Sequence, residues 1–196
     1  MTNEISTPTT SQILAQWEAD EARVRARMAS VGVARPDQVA GKTGQEFFDA
    51  LFSGELPAIG IGQTLDFLPI EIRNGRAVFQ GRPSARHYNP MGTVHGGWFS
   101  ALLDSAVGCA VHCTLAAGKA FTTAELKVNI VRPLTDKIAL VRAEGQVIHL
   151  GKRMATADGR LVGADGKLYA HASTTCFIFV KPCNAKNSVC NGIYTK

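Results

Sequence analysis

Residues 95–117 contain no proline and one charged side chain, Asp104. At helical spacing Trp98, Phe99, Leu102, Leu103, Ala106, Val107, Ala110 and Val111 leave no polar face. A helix that is apolar all round must be buried, so the rest of the chain has to enclose it.

The flanking segments supply the enclosure. Asn74-Gly75 lies between two strand-like runs, Phe67–Arg73 and Arg76–Gln80, a strong hairpin signal. After Gly118 the pattern becomes period two. Ala124, Leu126, Val128 and Ile130 alternate with Thr123, Glu125, Lys127 and Asn129 until Pro133. Ile138–Leu150, Arg153–Gly163 and Leu168–Val180 read as three further strands, joined at Gly151-Lys152 and Asp165-Gly166. The expected order is two strands, one long buried helix, then four strands. That is an α+β layer with an antiparallel sheet around its single long helix.

An N-terminal helical extension precedes this unit. Ile13, Trp17, Val24, Met28 and Val31 form an apolar stripe over residues 11–31, with Arg23, Arg25 and Arg27 largely off it. Thr43 and Glu46 fit a capping box. It opens a second helix bearing Phe47, Phe48, Leu51 and Phe52, ended by Gly54 and Pro57. The expected division is 1–56 for the extension, which partly covers the pocket of the main unit, 57–180 for the α+β domain, and 181–196 for an unstructured or cloning-derived tail.

Composition narrows the function classes. Net charge is +5, but residues 181–196 carry three lysines and no acid, so the rest holds only +2. A nucleic-acid partner is therefore not expected, the three arginines at 23–27 lacking helix-turn-helix spacing. No apolar run reaches the ~18 residues of a membrane span, and MTNEISTPTT is no signal peptide. The five cysteines include no C-x-x-C pair, which fits reduced thiols in a cytoplasmic protein.

Two features point to chemistry. His95-Gly96-Gly97 opens the buried helix, where backbone N–H groups lack internal partners and carry partial positive charge. Such groups stabilise an oxyanion, although the glycines also serve simply to relieve crowding. Asp104 is the only acid between Glu71 and Glu125. Burial would raise its pKa and suit it to general base work; a hydrogen-bonded structural carboxylate is the alternative. Gly96 and Asp104 lie ~12 Å apart along one helix, whereas reacting groups must lie within ~3 Å of a common centre. If both act on one substrate, two antiparallel copies of the helix must share it, as in a homodimer or a tetramer built from dimers.

N-P-M-G-x-V-H-G-G, then L-L-D ending nine residues after the His, then T-T-x-E-L-K-V-N-x-x-R-P, resembles the PaaI-like branch of hotdog-fold acyl-CoA thioesterases over roughly residues 57–180. The resemblance implies that Gly96 N–H polarises the thioester carbonyl, with Gly97 beside it in substrate binding. It implies that Asp104 of the facing subunit acts as general base or nucleophile. Asn89 would position the water or shape its turn, and His95 would hydrogen-bond near the thioester. Thr123 would supply a hydroxyl, with Thr122 the alternative if a bulge swaps them. Lys152 and Arg153 would meet the CoA phosphates, or else are solvated turn residues. CoA enters as part of the substrate, and no metal or redox cofactor is implied.

Other constellations are absent from the sequence. There is no G-x-S-x-G and no H-E-x-x-H. The leading expectation is hydrolysis of an acyl-CoA or aroyl-CoA to CoA and a carboxylic acid. A non-catalytic acyl-CoA sensor and a hotdog enoyl-CoA hydratase or dehydratase are the alternatives.

Overall fold

A computed structural model describes residues 7–181. The expected tail 181–196 lies outside the described residues apart from Lys181. Five helices and six strands are formed among the described residues: α1 (Thr10–Arg25), α2 (Pro36–Val39), α3 (Gly44–Ser53), α4 (Gly60–Leu65), β1 (Phe67–Arg73), β2 (Arg76–Gly81), α5 (Gly96–His112), β3 (Lys119–Ile130), β4 (Val141–Leu150), β5 (Met154–Gly163) and β6 (Leu168–Val180). A single turn of 3-10 helix, Ala85–His87, sits before the His-Gly-Gly segment.

The six strands form one antiparallel sheet in the order β1-β2-β4-β5-β6-β3. The hairpin turn has positive φ at both Asn74 and Gly75, the twist that two-residue hairpins demand. The sheet wraps α5. Ala77 and Phe79 of β2, Val141 and Ala143 of β4, Ala157 and Leu161 of β5, and Ala170 and Cys176 of β6 are buried on its inner face. Against them pack Trp98, Leu102, Leu103, Ala106 and Val107. Gly145 and Gly159 are direct cross-strand partners beneath the middle of α5. A Cβ at Gly145 would strike the Ala106 carbonyl, and one at Gly159 would lie 2.7 Å from Val107. The small inner-face residues therefore let the helix lie directly on the sheet. This is the hotdog arrangement.

The sheet does not close around the helix. Ser100, Ala101, Asp104, Ser105, Cys109 and His112 are only partly buried, and Gly97 is exposed. They share one stripe at helical spacing. The expectation of a fully buried helix is corrected here: one curved sheet covers most of the circumference, and small or polar residues occupy the remainder.

The extension docks at two places. The first helix ends at Arg25, short of residue 31, and lies on the outer face of the sheet. There Arg142 of β4 donates to Asp20 at 2.8 Å and to the Gln80 amide oxygen at 2.9 Å. Its guanidinium stands 4.6 Å from the centre of the Trp17 ring. Gln80 in turn donates to Glu21 at 2.9 Å. Burial alone would raise the Asp20 carboxyl, but hydrogen bonds from Arg142, Gln16 and Arg23 outweigh it and hold the group below its ordinary range. Glu21 behaves likewise, burial being outweighed by Arg25 and Gln80. Arg23 and Arg25 are thus engaged with Asp20 and Glu21 on their own helix.

The second docking point is α3. Thr43 and Glu46 form the capping box, with Thr43 N–H donating to Glu46 at 2.7 Å. Gly44 N–H donates to the Leu115 carbonyl at 2.8 Å. A side chain at Gly44 would overlap the His112 carbonyl, so the start of α3 abuts the end of α5. Two short helices, α2 and α4, lie outside the expected elements; neither exceeds six residues, too short for a periodic pattern.

Candidate active site

The segment before α5 is a tightly bonded loop. Asn89 Oδ1 accepts the N–H groups of Met91 (2.9 Å) and Thr93 (3.3 Å), and its amide donates to Thr93 Oγ1 at 2.9 Å. Both ends of the Asn89 side chain are therefore engaged within its own turn, which favours the turn-shaping role over water positioning. Val94 N–H donates to Leu134 and His95 N–H to the His87 carbonyl at 2.7 Å. These bonds fix where α5 begins.

His95 is the N-cap of α5. Its Nδ1 accepts the N–H of Gly97 at 2.9 Å, which leaves Nε2 as the protonated nitrogen of the neutral ring. The ring is exposed, so Nε2–H is available to a ligand. Gly97 N–H is thereby spent on the cap, while the residue itself stays exposed beside Gly96. Gly96 N–H has no acceptor among the described residues. It is the free donor at the positive end of α5.

Asp104 projects from the open stripe two turns further along and is half-buried, not enclosed as its apolar neighbours suggested. Thr123 Oγ1 donates to its Oδ1 at 3.0 Å. One carboxylate oxygen is thereby held and the other left free. Thr123 reaches Asp104 because β3 carries a bulge between Thr123 and Glu125. Strict alternation would put Thr123 on the face of Glu125 and Lys127. The extra residue places it on the helix side with Leu126 and Val128, which pack on the core. A bulge is present, and with it Thr123, not Thr122, is the residue that reaches Asp104.

Gly96 and Asp104 are not brought together within one chain, since both belong to the same continuous helix. Lys152 and Arg153 are exposed at the β4–β5 turn and make no ion pair among the described residues. No three His, Cys, Asp or Glu side chains converge as a metal ion requires, again among the described residues. No described helix is long and apolar enough to cross a membrane.

Beyond Asp104 the stripe becomes less polar. Burial pushes the Cys109 thiol up to about 12, with Cys113 and the Asp104 carboxylate adding to the effect. It is therefore no nucleophile at neutral pH. His112 lies among Phe47, Phe48 and Phe121, at ring-centre distances of 5.1, 5.1 and 5.5 Å. Burial lowers its pKa to about 4, with Lys181 contributing. Neither His112 nor Phe121 stands out in the sequence; only the fold brings these rings beside the site.

The depressed His112 pKa has a consequence for stability. Between its ordinary value near 6.5 and about 4, the unfolded chain binds a proton that the folded chain does not. Stability is held above pH 6.5 and falls as pH drops through this window, by about 3 kcal/mol at roughly 1.4 kcal/mol per pH unit. His87, lowered chiefly by burial, acts in the same direction. Urea titrations from pH 7 to 4 should show this loss, and His112→Gln should flatten it. An unchanged slope in the variant would place the acid lability elsewhere.

Comparison with known proteins agrees with the geometry. A family model described as the thioesterase superfamily matches residues 91–170. A phenylacetic acid degradation-related protein from Ralstonia eutropha superposes with a TM-score of 0.61 at 28% identity, covering 67% of this chain and 98% of that one. A single-site variant of the phenylacetic acid degradation protein PaaI from Thermus thermophilus is 30% identical, with a TM-score of 0.54 over 60% of this chain and 96% of that one. E. coli PaaI, at 24% identity and a TM-score of 0.55, covers 61% of this chain and 83% of its own, and shares the fold. No curated protein matches. With its sheet wrapped on α5, its His-Gly-Gly cap and these matches, the chain belongs to the thioesterase superfamily, in the PaaI-like branch of the hotdog fold.

Proposed function

We propose that the protein hydrolyses the thioester of an acyl-CoA or aroyl-CoA, giving CoA and a carboxylic acid, at sites shared between two subunits. The observation that carries this reading is the Asp104 carboxylate on the open face of α5, held through one oxygen by Thr123, together with the unpaired Gly96 N–H on the same helix.

The two groups lie ~12 Å apart along α5. A second copy lying antiparallel brings Gly96 of one subunit opposite Asp104 of the partner subunit. Support comes from β3, a strand of 12 residues at the end of the sheet with one edge unpaired. Such an edge is a template for pairing with another chain. Two-fold pairing of β3 edges sets the two open stripes of α5 side by side, and the symmetry makes two equivalent sites.

In each site the Gly96 N–H, aided by the positive end of α5, faces the thioester carbonyl oxygen and stabilises the charge that grows there. Asp104 of the partner subunit takes a proton from water through its free oxygen as the water attacks the carbonyl carbon. Thr123 fixes the carboxylate. The tetrahedral intermediate then breaks its carbon–sulfur bond, the CoA sulfur leaves as the thiol by taking the proton held on Asp104, and the carboxylic acid remains. Exposed Lys152 and Arg153 suit the CoA phosphates. Water, a carboxylate and a backbone donor suffice for this chemistry without a cofactor.

The test is release of free thiol over a panel of acyl-CoA and aroyl-CoA thioesters. Release that follows enzyme concentration is the expected result. An enoyl-CoA that loses its conjugated double bond without releasing thiol would instead mark a hydratase. Thioester binding with no turnover would mark a sensor.

A further inference from the structure

The open stripe of α5 runs on from Asp104 toward the C-terminal end of the helix. Ser105, Cys109 and His112 lie along it, all partly exposed. Phe121, two residues before Thr123 on β3, flanks it. Its ring rests against Gly108, where a Cβ would come within 3.2 Å. At the end of the stripe stands Phe47, its ring centre 5.1 Å from that of His112. Phe47 belongs to α3 of the N-terminal extension, outside the region matched to the superfamily. It stays partly exposed, whereas its neighbour Phe48 is 1% exposed in the core.

The two directions from Asp104 differ in character. Toward Gly96 of the same helix the stripe leads past Ser100 to the free N–H and the exposed His95 ring of the second shared site. Toward His112 lie sulfur and aromatic surfaces. The Cys109 thiol and the His112 imidazole both stay uncharged at neutral pH, so between Asp104 and the far end the stripe itself presents no charge, and exposed Lys181 beyond it keeps its ammonium in solvent. An apolar acyl group gains by burial there, while the CoA phosphates do not.

We propose that the stripe from Asp104 to His112 receives the acyl part of the thioester, and that Phe47 closes its far end and limits acyl length. This rests on the thioesterase reading. The stripe spans ~12 Å along α5, which admits an arylacyl or medium-chain group and sets a long fatty chain against the Phe47 ring. The N-terminal extension thereby acts as a specificity element.

The experiment compares kcat/KM for phenylacetyl-CoA, octanoyl-CoA and palmitoyl-CoA in the wild type, Phe47→Ala and Leu51→Ala, with thermal midpoints alongside. The expected result is that Phe47→Ala raises the palmitoyl-to-phenylacetyl ratio by about tenfold or more, the scale set by a few methylenes in an apolar pocket. Leu51→Ala, a core truncation on the same helix packed with Ala50 and Leu56, should lower the midpoint and leave the ratio unchanged. If Phe47→Ala does not fold, Phe47→Leu is read in its place, with a smaller shift in the same direction. A ratio unchanged within about twofold in a folded variant, with hydrolysis still abolished by Asp104→Asn, overturns the acyl-length role and leaves the thioesterase reading intact. Wild type that hydrolyses none of the three overturns both.

Discussion

Asp104→Asn should lower kcat for thioester hydrolysis by roughly a hundred- to ten-thousandfold, the usual worth of a positioned general base. The substitution is nearly isosteric. The amide oxygen still accepts the Thr123 hydroxyl now bonded at 3.0 Å, so the side chain stays in place. What disappears is the capacity to take a proton from water. Because Asp104 is only half-buried, stability should move by less than about 1 kcal/mol. Thiol-release kinetics and a thermal melt together separate lost chemistry from lost fold. Comparable rates in the two proteins would remove Asp104 from the reaction. Thr123→Val provides a graded comparison: the base remains but loses its anchor, so the expected loss in kcat is smaller than that of Asp104→Asn.

The largest stability effect outside the hydrophobic core is expected at Arg142. Its side chain is 13% exposed and joins Asp20, Gln80 and Trp17 across the interface between α1 and the sheet. Arg142→Ala leaves the Asp20 carboxylate, itself 12% exposed, with only Arg23 as a charged partner. It also strips the Gln80 carbonyl of its donor. Breaking a buried pair from one side costs about 3–5 kcal/mol, and the loss should appear as a lower urea midpoint. Arg23→Ala removes an arginine from the same carboxylate, but that side chain is 56% exposed. Its cost should stay within about 1 kcal/mol. Equal costs for the two variants would mean that α1 is not held by this network.

The fold was largely readable because its constraints are long and repetitive. The apolar circumference of residues 98–111 demanded a wrapping partner, and alternation over Thr122–Arg132 announced strands. The Asn74-Gly75 hairpin and the Thr43–Glu46 capping box are local signals with single physical meanings, and both formed as expected. Features that depend on tertiary packing were not readable. The open stripe of α5 exists because one sheet cannot cover a whole helix, and no property of Ser100 or Ser105 alone announces it. The β3 bulge moved Thr123 to the helix side, which period-two counting cannot foresee. The partnership of Arg142 with Asp20 spans 122 residues of sequence. Within the site, the motif marked His95, Gly96 and Asp104. It could not show that Gly97 N–H is consumed by the His95 ring or that both ends of Asn89 are used in its own turn.

If each site takes Gly96 from one subunit and Asp104 from the other, mixed dimers of two inactive variants must regain activity. Gly96→Pro removes the proposed oxyanion donor. Proline suits the first position of a helix, and His95, with ψ 140°, already has the extended backbone required before it. Gly96→Pro and Asp104→Asn should each be nearly inactive alone. Subunits exchanged at equal amounts form about half mixed dimers, each with one site carrying both defects and one carrying neither. Sharing of the sites gives an expected recovery of about a quarter of wild-type specific activity. Mixed dimers shown to form, yet no more active than either parent, would contradict it.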